Sequence, residues 1–396
     1  MVAIPLVGKM GAEAIFEQQL RGYRGGQQVE IDGPGRVIRV LGENPGRLGQ
    51  DVQLTLDLDL QKAAEAALGN RIGAIVALNP ETGEVLAMVS RPAFDPNMFT
   101  GQINSGQWQQ LQSRKFPFLN RALQGYPPAS TFKIVTTAAG LESGRYSRST
   151  ILPTYPYLSI GSTRFWDWNK AGFGPLDFTG AMANSSNTFF GQIGLGVSES
   201  TLIEWAQKFG FGQQTGIELS DEEAHGLVPN ATWKQEVLNE DWYPGDTLNF
   251  SVGQGAIQAT PLQVAVMFAA IANGGNRITP HLQKGSDALT RRQPVNLSPT
   301  TLEELQQGLR AVVTRGTGKV LNIPSLPPVA GKSGTAEDPP RQSHTWFGAY
   351  APAEKPEIVV VAFAENSGGG GGSIAGPIVR QVLEAYFKRE ETAKAQ

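Results

Sequence analysis

The spacing of hydrophobic residues along the chain indicates short strands and one helix in the first seventy residues. Residues 28–31 and 36–40 are short β-like runs in a segment rich in Gly and polar residues. The alternation at residues 51–56 predicts a strand, and the Ala and Leu residues at 59–68 predict a helix. The first fifty residues are therefore expected to form a small β-rich module.

The middle of the chain carries longer helical patterns, which Gly and Pro residues separate. Five helices are predicted there, at residues 130–141, 178–195, 199–209, 261–273 and 299–315. Strands are predicted on both sides of them, a hairpin at 72–78 and 84–89 and three later strands at 328–335, 345–350 and 357–363, before a last helix at 376–388. We therefore expect an α+β fold, in which distant segments form one antiparallel sheet with helices on its faces.

Length and composition limit the possible classes of protein. A chain of 396 residues suggests two domains, or one large domain with an appendage. We predict a partial N-terminal module at 1–50, a main domain at 51–390 and a charged tail at 391–396. The net charge of -3 gives no indication of nucleic-acid binding. The absence of Cys excludes disulfides, thiolate zinc sites and cysteine nucleophiles.

No membrane span or targeting segment is predicted in this chain. The apolar stretch at residues 358–364 is much shorter than the roughly 20 residues that a spanning helix needs. The five consecutive glycines at residues 368–372 predict a flexible loop. Among the three histidines, His344 is expected to lie on the surface, and none has the spacing of a metal ligand.

The first motif that could carry chemistry is Ser130-Thr131-Phe132-Lys133. The Pro residues at 127 and 128 cannot continue a helix backwards, so Ser130 is expected at a helix N-terminus, where free N–H groups favour negative charge. Lys133 would lie on the same face of that helix and could reach the Ser130 hydroxyl. Taken alone, the motif is better explained by a capping serine followed by a solvated lysine.

The second motif is Ser185-Ser186-Asn187, which interrupts an apolar helical pattern. Ser and Asn favour caps and turns, and such conflicts with helix propensity are expected at functional sites. Ser185 and Asn187 could both point into a cleft from a loop or a helix end. An ordinary helix cap or polar turn explains the motif better when it is considered by itself.

The third motif, Lys332-Ser333-Gly334-Thr335, lies in a predicted late strand. A glycine in an edge strand lets a ligand approach the backbone closely, and the strand edge can pair with an extended peptide. Lys332 would offer a cation to a substrate carboxylate. The alternative is an ordinary edge strand that contains a glycine.

The order and spacing of the three motifs are more specific than any one of them. S-x-x-K, then S-x-N about fifty residues later, then K-S-G-T on a late strand, resembles the class B penicillin-binding proteins along essentially the whole chain. Residues 8–50 are similar to the end of that family's N-terminal pedestal, so the family's membrane anchor is expected to lie outside this chain. The Trp residues near the second motif, and those at 233 and 242, resemble the elongation-type enzymes.

The resemblance implies a serine transpeptidase with the penicillin-binding fold, in which an antiparallel sheet packs against helices and a helical subdomain. Ser130 would be the nucleophile and Lys133 the base, with a pKa lowered by burial and by nearby Lys332. Ser185 would relay a proton to the leaving amine, and Asn187 would hold Lys133 and the substrate amide.

The remaining implied roles concern substrate binding. The backbone N–H groups of Ser130 and Thr335 would form the oxyanion hole. Lys332, Ser333, Gly334 and Thr335 would bind the terminal carboxylate of a D-Ala-D-Ala stem peptide or of its β-lactam mimic. Two small departures from the family pattern are Ala129, where glycine is usual, and Ser333, where threonine is common.

The resemblance also implies a setting for the intact protein. It would act at the periplasmic face of the bacterial inner membrane, with a SEDS-type glycosyltransferase as partner and no nucleic acid. No cofactor is expected. Some elongation-type relatives bind zinc through Asp, His and Cys, but Phe173 occupies the expected His position here and Cys is absent, so no metal is predicted.

Two other functions remain open from the sequence. The first is a β-lactamase, which would hydrolyse the acyl-enzyme with a base such as the glutamate of the class A enzymes. The sequence around Glu236 is only superficially similar to the segment that carries that glutamate, and Glu236 is interpreted as a solvated loop carboxylate. A non-catalytic module that senses or binds β-lactams is the second alternative. The complete set of motifs argues against it.

Overall fold

The computed structural model describes residues 7–113, 115–161, 163–285 and 291–395. Its helices are α1 (Gly11–Ile15), α2 (Glu17–Arg21), α3 (Leu58–Leu68), α4 (Ser105–Leu111), α5 (Lys133–Glu142), α6 (Phe178–Asn184), α7 (Asn187–Val197), α8 (Glu199–Lys208), α9 (Ala231–Leu238), α10 (Pro244–Ser251), α11 (Pro261–Ala272), α12 (Pro299–Thr314) and α13 (Gly371–Ala395). Its strands are β1 (Gly26–Ile31), β2 (Val37–Asn44), β3 (Gly73–Leu78), β4 (Val85–Arg91), β5 (Leu152–Thr154), β6 (Tyr157–Ile160), β7 (Thr163–Trp166), β8 (Gly174–Leu176), β9 (Asn276–Arg277), β10 (Gln293–Pro294), β11 (Ala330–Ala336), β12 (His344–Ala351) and β13 (Ile358–Ala364).

A five-stranded antiparallel sheet organises the main domain, in the order β11-β12-β13-β3-β4. Strand β13, from the end of the chain, pairs with β3 from its beginning, with Val361 opposite Val76. Alternate residues of these strands point to opposite faces. Val76 belongs to a hydrophobic core that includes α11, whereas Val360 belongs to a second core that includes α3 and α13. The predicted α+β fold is confirmed.

Most predicted elements are present, with bounds shifted by a few residues, and three differ. Residues 51–56 do not form a strand, because only Leu54 makes a bridge, to Gln283. The helix predicted at 178–195 is two helices, because Ser185 adopts a left-handed conformation that ends α6. The five glycines are not a loop throughout, since α13 begins at Gly371.

The N-terminal module combines two short helices with the β1–β2 hairpin. The strand β2 is exposed along its whole length. At the other end of the chain, α13 continues through residues 391–395, and Gln396 lies outside the described residues. The predicted division of the chain into a module at 1–50, a domain at 51–390 and a tail remains a prediction. None of the helices in the described ranges is both long and apolar enough to cross a membrane.

Candidate active site

Ser130 lies in a 3₁₀ turn, Ala129–Phe132, that leads directly into α5. The sequence predicted the start of an α-helix here, and the tighter turn follows from Ala129, whose φ of 51° is incompatible with a right-handed helix. A hydrogen bond of 2.8 Å from Ala129 N–H to Gly253 O holds this turn in place. The half-buried Ser130 hydroxyl lines a cleft and has no hydrogen-bond partner among the described residues.

Lys133 is completely buried at the start of α5. Its Nζ donates hydrogen bonds to the Ser185 carbonyl oxygen at 2.7 Å, to Asn187 Oδ1 at 2.8 Å and, more weakly, to Ser185 Oγ at 3.3 Å. Burial lowers the pKa of Lys133 to about 7, although the buried carboxylate of Asp167 acts in the opposite direction. A neutral amine, able to accept a proton, is therefore available near physiological pH.

The second motif occupies the break between α6 and α7. Ser185 has φ 54° and ψ 40°, which turns its hydroxyl toward Lys133 and ends α6. Ser186 is the N-cap of α7, and its side chain accepts a hydrogen bond from Phe189 N–H. Asn187 is the first residue of α7 and donates from Nδ2 to the Trp166 carbonyl oxygen at 3.2 Å. Two helix ends thus present Ser185 and Asn187 to the same cleft.

Asp167 stabilises the break between α6 and α7 through hydrogen bonds. It was not identified from the sequence as a site residue. Its side chain is fully buried, and Oδ2 accepts hydrogen bonds from Ser186 Oγ at 2.7 Å, from Thr188 N–H at 3.0 Å and from Thr188 Oγ1 at 3.1 Å. A buried carboxylate is stable only when it is paired in this way. The signal in the sequence was a carboxylate between two Trp residues just before the second motif.

Lys332 joins the third motif to the second. Its buried Nζ donates to Ser185 Oγ at 2.8 Å and to the Ser333 carbonyl oxygen at 3.0 Å. Burial lowers the pKa of Lys332 well below its usual range, and the positive charge of Lys133 lowers it further. The hydroxyl of Ser185 therefore accepts from two lysines, and its own proton can be donated into the cleft.

The strand β11 lies at the edge of the sheet, with its backbone open to the cleft. In an antiparallel sheet the N–H and C=O of one residue point to the same side of the strand. Gln254 Nε2 donates to the Thr335 carbonyl oxygen at 3.1 Å, so this carbonyl faces the cleft and not β12. The N–H of Thr335 consequently faces the cleft as well, as an oxyanion hole with Ser130 would require.

Glycine residues allow the start of α13, which lines the cleft, to pack closely against β11. A Cβ atom on Gly371 would meet the carbonyl oxygens of Gly334 and Trp346, so α13 can begin here only with glycine. Gly371 N–H donates to Thr335 Oγ1 at 3.1 Å. The cleft itself has a volume of about 1010 Å³, and residues 369–373 line one side of it. Part of the predicted flexible loop is thus a packed wall of the site.

Two residues with weaker predictions are also placed. His344 is buried, contrary to the expected surface position: its Nδ1 accepts from Asn366 N–H at 3.0 Å. Glu236 is exposed as predicted, but it belongs to helix α9 and does not line the cleft. Within the described ranges, no three His, Cys, Asp or Glu side chains come together as a metal-ligating group.

The site is of the serine acyl-transferase type. It combines a half-buried serine at a helix start, two buried lysines that share a second hydroxyl, and an open strand edge. Comparison with protein families identifies the class. Residues 73–384 match the penicillin-binding protein transpeptidase domain, and residues 4–54 match the penicillin-binding protein dimerisation domain. The chain belongs to the penicillin-binding protein transpeptidase family.

Individual relatives agree with this assignment. The chain is 37% identical to the peptidoglycan D,D-transpeptidase MrdA of Haemophilus influenzae, over 97% of this chain and 63% of that protein. It is 35% identical to MrdA of Escherichia coli, over 96% of this chain and 64% of that protein. The chain therefore spans a little over three fifths of the length of these curated relatives.

Solved structures show the same fold. The penicillin-binding protein PBP2 of Helicobacter pylori, solved in a complex with MreC, superposes with a TM-score of 0.88 at 31% identity, covering 96% of this chain and 72% of that one. PBP2 of Pseudomonas aeruginosa superposes with a TM-score of 0.85 at 35% identity, covering 96% of this chain and 82% of that one. The predicted penicillin-binding fold is confirmed.

Proposed function

We propose that this chain is the catalytic part of an elongation-type peptidoglycan DD-transpeptidase, which cross-links stem peptides through an acyl-enzyme on Ser130. The observation that carries the proposal is the convergence of Lys133 and Lys332 on Ser185 beside the free Ser130 hydroxyl. The similarity to two MrdA transpeptidases supports the reaction and the role in elongation.

Acylation begins when Ser130 Oγ attacks the carbonyl carbon of the penultimate D-Ala residue. Neutral Lys133 accepts the hydroxyl proton; its Nζ is engaged with Ser185 and Asn187 in the free enzyme, and catalytic hydrogen bonds commonly tighten only when substrate binds. The N–H groups of Ser130 and Thr335 stabilise the oxyanion, each contributing about 3 kcal/mol.

The scissile C–N bond then breaks, and Ser185 donates its proton to the departing D-Ala amine. Lys133 returns a proton to Ser185 through the contact between the two side chains. The amine of a second stem peptide attacks the ester carbon, Ser130 leaves with a proton, and a new peptide bond joins the two stems. Ser333, Gly334 and Thr335 line the cleft and bind the terminal carboxylate of the donor. Lys332 is completely buried, and its Nζ reaches that site only through Ser185 Oγ and the Ser333 carbonyl oxygen.

The β-lactamase alternative needs a base that activates water against the ester. Glu236 does not line the cleft, and Glu337 is the one carboxylate among the described residues that does. Glu337 is exposed, beyond the end of β11, and the described residues offer it no cation or hydrogen-bond donor that would position it. We therefore expect the acyl-enzyme formed with penicillin to persist.

Intact mass spectrometry tests the proposal directly. One equivalent of benzylpenicillin is expected to add a single drug mass to the wild type and nothing to Ser130→Ala, and the adduct is expected to persist after free drug is removed. Ser186→Ala, which changes the neighbouring hydroxyl of the second motif, is the matched control and should still be acylated. Labelling of Ser130→Ala would overturn the assignment of Ser130 as the nucleophile. Rapid return of the wild type to its unmodified mass, with continued hydrolysis of penicillin, would favour a β-lactamase.

For the intact protein we propose action at the periplasmic face of the inner membrane beside a SEDS-type glycosyltransferase. One similar structure, with 39% identity and a TM-score of 0.85, concerns the coordination of polymerisation and cross-linking by a peptidoglycan synthase complex. Co-purification of the full-length protein with such a glycosyltransferase is expected. Recovery of the full-length protein alone from a gentle membrane extract would contradict it.

We also propose that catalysis requires no metal ion. Asp167, in the region where some relatives hold zinc, directs its carboxylate to Ser186 and Thr188, and Phe173 packs on Trp168 with ring centroids 5.4 Å apart. Elemental analysis is expected to find no stoichiometric zinc. Zinc that is lost together with activity on chelation would overturn this proposal.

A further inference from the structure

Arg164 is a cation on the wall of the cleft that the mechanism above does not use. It lies in β7, is exposed, and lines the cleft together with Trp166 and Trp168. Its guanidinium carbon lies 4.7 Å from the ring centroid of Tyr157 and 6.0 Å from that of Trp166. These stacking contacts hold the guanidinium in place and leave its N–H groups open.

The guanidinium has no acidic partner in the part of the chain that the structure describes. Arg121 and Arg148 show the paired arrangement for comparison: Arg121 bonds to Glu365 at 2.6 Å, and Arg148 bonds to Glu303 and Glu304. A guanidinium presents five N–H donors in a planar fork that fits a carboxylate, and no described residue accepts from Arg164. An ordered, unpaired arginine at the edge of a cleft is therefore able to bind an anionic group of a ligand.

The position of Arg164 relative to Asn187 indicates which part of the ligand it meets. Asn187 Nδ2 donates to the carbonyl oxygen of Trp166, two residues after Arg164, so β7 is attached to the second motif. The resemblance to the penicillin-binding proteins assigns Asn187 to the substrate amide, which places β7 and Arg164 beside the donor peptide. The terminal carboxylate, on the C-terminal side of the scissile bond, is bound elsewhere, by Ser333 and its neighbours on β11. Arg164 therefore meets the part of the donor on the N-terminal side of that bond.

We propose that Arg164 binds a second carboxylate of the donor peptide, on the N-terminal side of the scissile bond. This inference rests on the proposed transpeptidase function and adds a determinant of substrate choice to it. The ligand class is an acidic peptide that ends in D-Ala-D-Ala. A peptide without that carboxylate would still be processed, but less efficiently.

Synthetic peptides that end in D-Ala-D-Ala provide the test. Glutamate is placed at one of the three positions before D-Ala-D-Ala, and each peptide is paired with its glutamine counterpart. A peptide amine is supplied as acceptor, and release of D-Ala is measured as kcat/KM. At one position the wild type is expected to prefer glutamate by about tenfold, the order of a charge-assisted hydrogen bond. Arg164→Gln should abolish that preference, and Arg164→Lys should retain part of it.

Lys170→Gln is the matched control. Lys170 also lies over Trp166, with its Nζ 4.5 Å from the ring centroid, but it does not line the cleft and donates to the Asp167 carbonyl oxygen. This variant loses the same charge from the same cluster and should keep the preference. An equal loss of the glutamate preference in Arg164→Gln and Lys170→Gln would show a general effect of charge and overturn the proposed Arg164 site.

Acylation by benzylpenicillin tests the proposed function separately from the Arg164 site, because benzylpenicillin lacks the second carboxylate that Arg164 is proposed to bind. An Arg164→Gln protein is expected still to be acylated stoichiometrically, which shows that it is folded. If the wild type is acylated normally but shows no preference for glutamate at any position, the Arg164 site alone is overturned. Failure of the wild type to be acylated would overturn the proposed function and, with it, this inference.

Discussion

Lys332 Nζ donates a hydrogen bond of 2.8 Å to Ser185 Oγ, across 147 residues of sequence. This contact joins an edge strand of the sheet to the break between two helices. Because Ser185 accepts from Lys332, its own proton is free to move toward a leaving group, and the residue can act as a relay. The arrangement requires two lysines to be buried close together, and burial of each lowers its pKa.

The first prediction concerns the pH dependence of acylation. Lys133 accepts a proton only when it is neutral, and its pKa is lowered from 10.5 to about 7. The rate constant for acylation by benzylpenicillin should therefore rise with pH, reach half its maximum near pH 7 and fall about tenfold per unit well below that value. Stopped-flow measurements between about pH 5 and 9 would check this profile.

Lys133→Arg is the control for that profile. Arginine keeps the positive charge but stays protonated, so acylation should fall by orders of magnitude at every pH while the protein remains folded. A flat profile in the wild type, or near-normal acylation of a folded Lys133→Arg protein, would show that Lys133 has only a structural role.

The second prediction concerns Asp167, which we regard as a positioning residue. Its negative charge raises the pKa of Lys133, so Asp167→Asn should lower that pKa and move the midpoint of the acylation profile to lower pH. The variant also replaces a carboxylate that accepts from Ser186 and Thr188, and we expect a loss of about 1–3 kcal/mol in the free energy of unfolding.

Asp177→Asn is the control for Asp167. Asp177 is an exposed N-cap of α6, and Asn caps a helix as well as Asp does, so this variant should change neither the midpoint nor the stability appreciably. A shift of the midpoint to higher pH in Asp167→Asn would contradict the assigned electrostatic effect. Loss of stability without any shift would leave Asp167 as a purely structural residue.

The third prediction separates two adjacent glycines of the glycine run. A Cβ on Gly371 would meet backbone carbonyl oxygens of Gly334 and Trp346, which cannot move without disturbing β11. Gly371→Ala should therefore slow acylation and lower the free energy of unfolding by at least about 2 kcal/mol. Gly370→Ala places its Cβ 3.7 Å from Ser373 Oγ at the nearest and should have little effect. Chemical denaturation of the two variants measures the difference.

Much of the fold could be predicted from the sequence because local patterns determine it, whereas the three motifs were selected by their order and spacing and their roles remain predictions. The run at 358–364 is apolar throughout and forms a strand buried on both faces, as its pattern predicts. The spacing from Ser130 to Lys133 likewise depends only on local helix geometry. Such features need no knowledge of distant contacts.

The features that could not be predicted depend on contacts between distant segments. Asp167 is defined as a site residue only by the fold that brings its carboxylate to Ser186. The segment 51–56 lacks a strand because only Leu54 forms a β-bridge, to Gln283. The break at Ser185 similarly needs the hydrogen bonds from Lys133 and Lys332, which come from outside the local sequence. Polar residues in an apolar helical pattern were the only local signal.

The last prediction concerns Ala129, the residue before the nucleophile. Its φ of 51° lies in the left-handed region, which costs a residue with a Cβ about 1–2 kcal/mol relative to glycine. Ala129→Gly removes that strain but increases the entropy of the unfolded chain, at about 0.4–1 kcal/mol, and removes a fully buried methyl group worth about 0.8 kcal/mol. These terms nearly cancel, so the free energy of unfolding should change by no more than about 1 kcal/mol.

Ala138→Gly provides the comparison, because Ala138 is equally buried but lies inside α5. Glycine gains nothing from a right-handed helical position, so its low helix propensity and the lost methyl group should together cost about 1–2 kcal/mol. Urea denaturation of the two variants is expected to show a clearly smaller loss for Ala129→Gly, whose acylation rate should stay within a few-fold of the wild type. Equal losses would show that Ala129 is not strained, and that the turn before Ser130 accepts alanine at no cost.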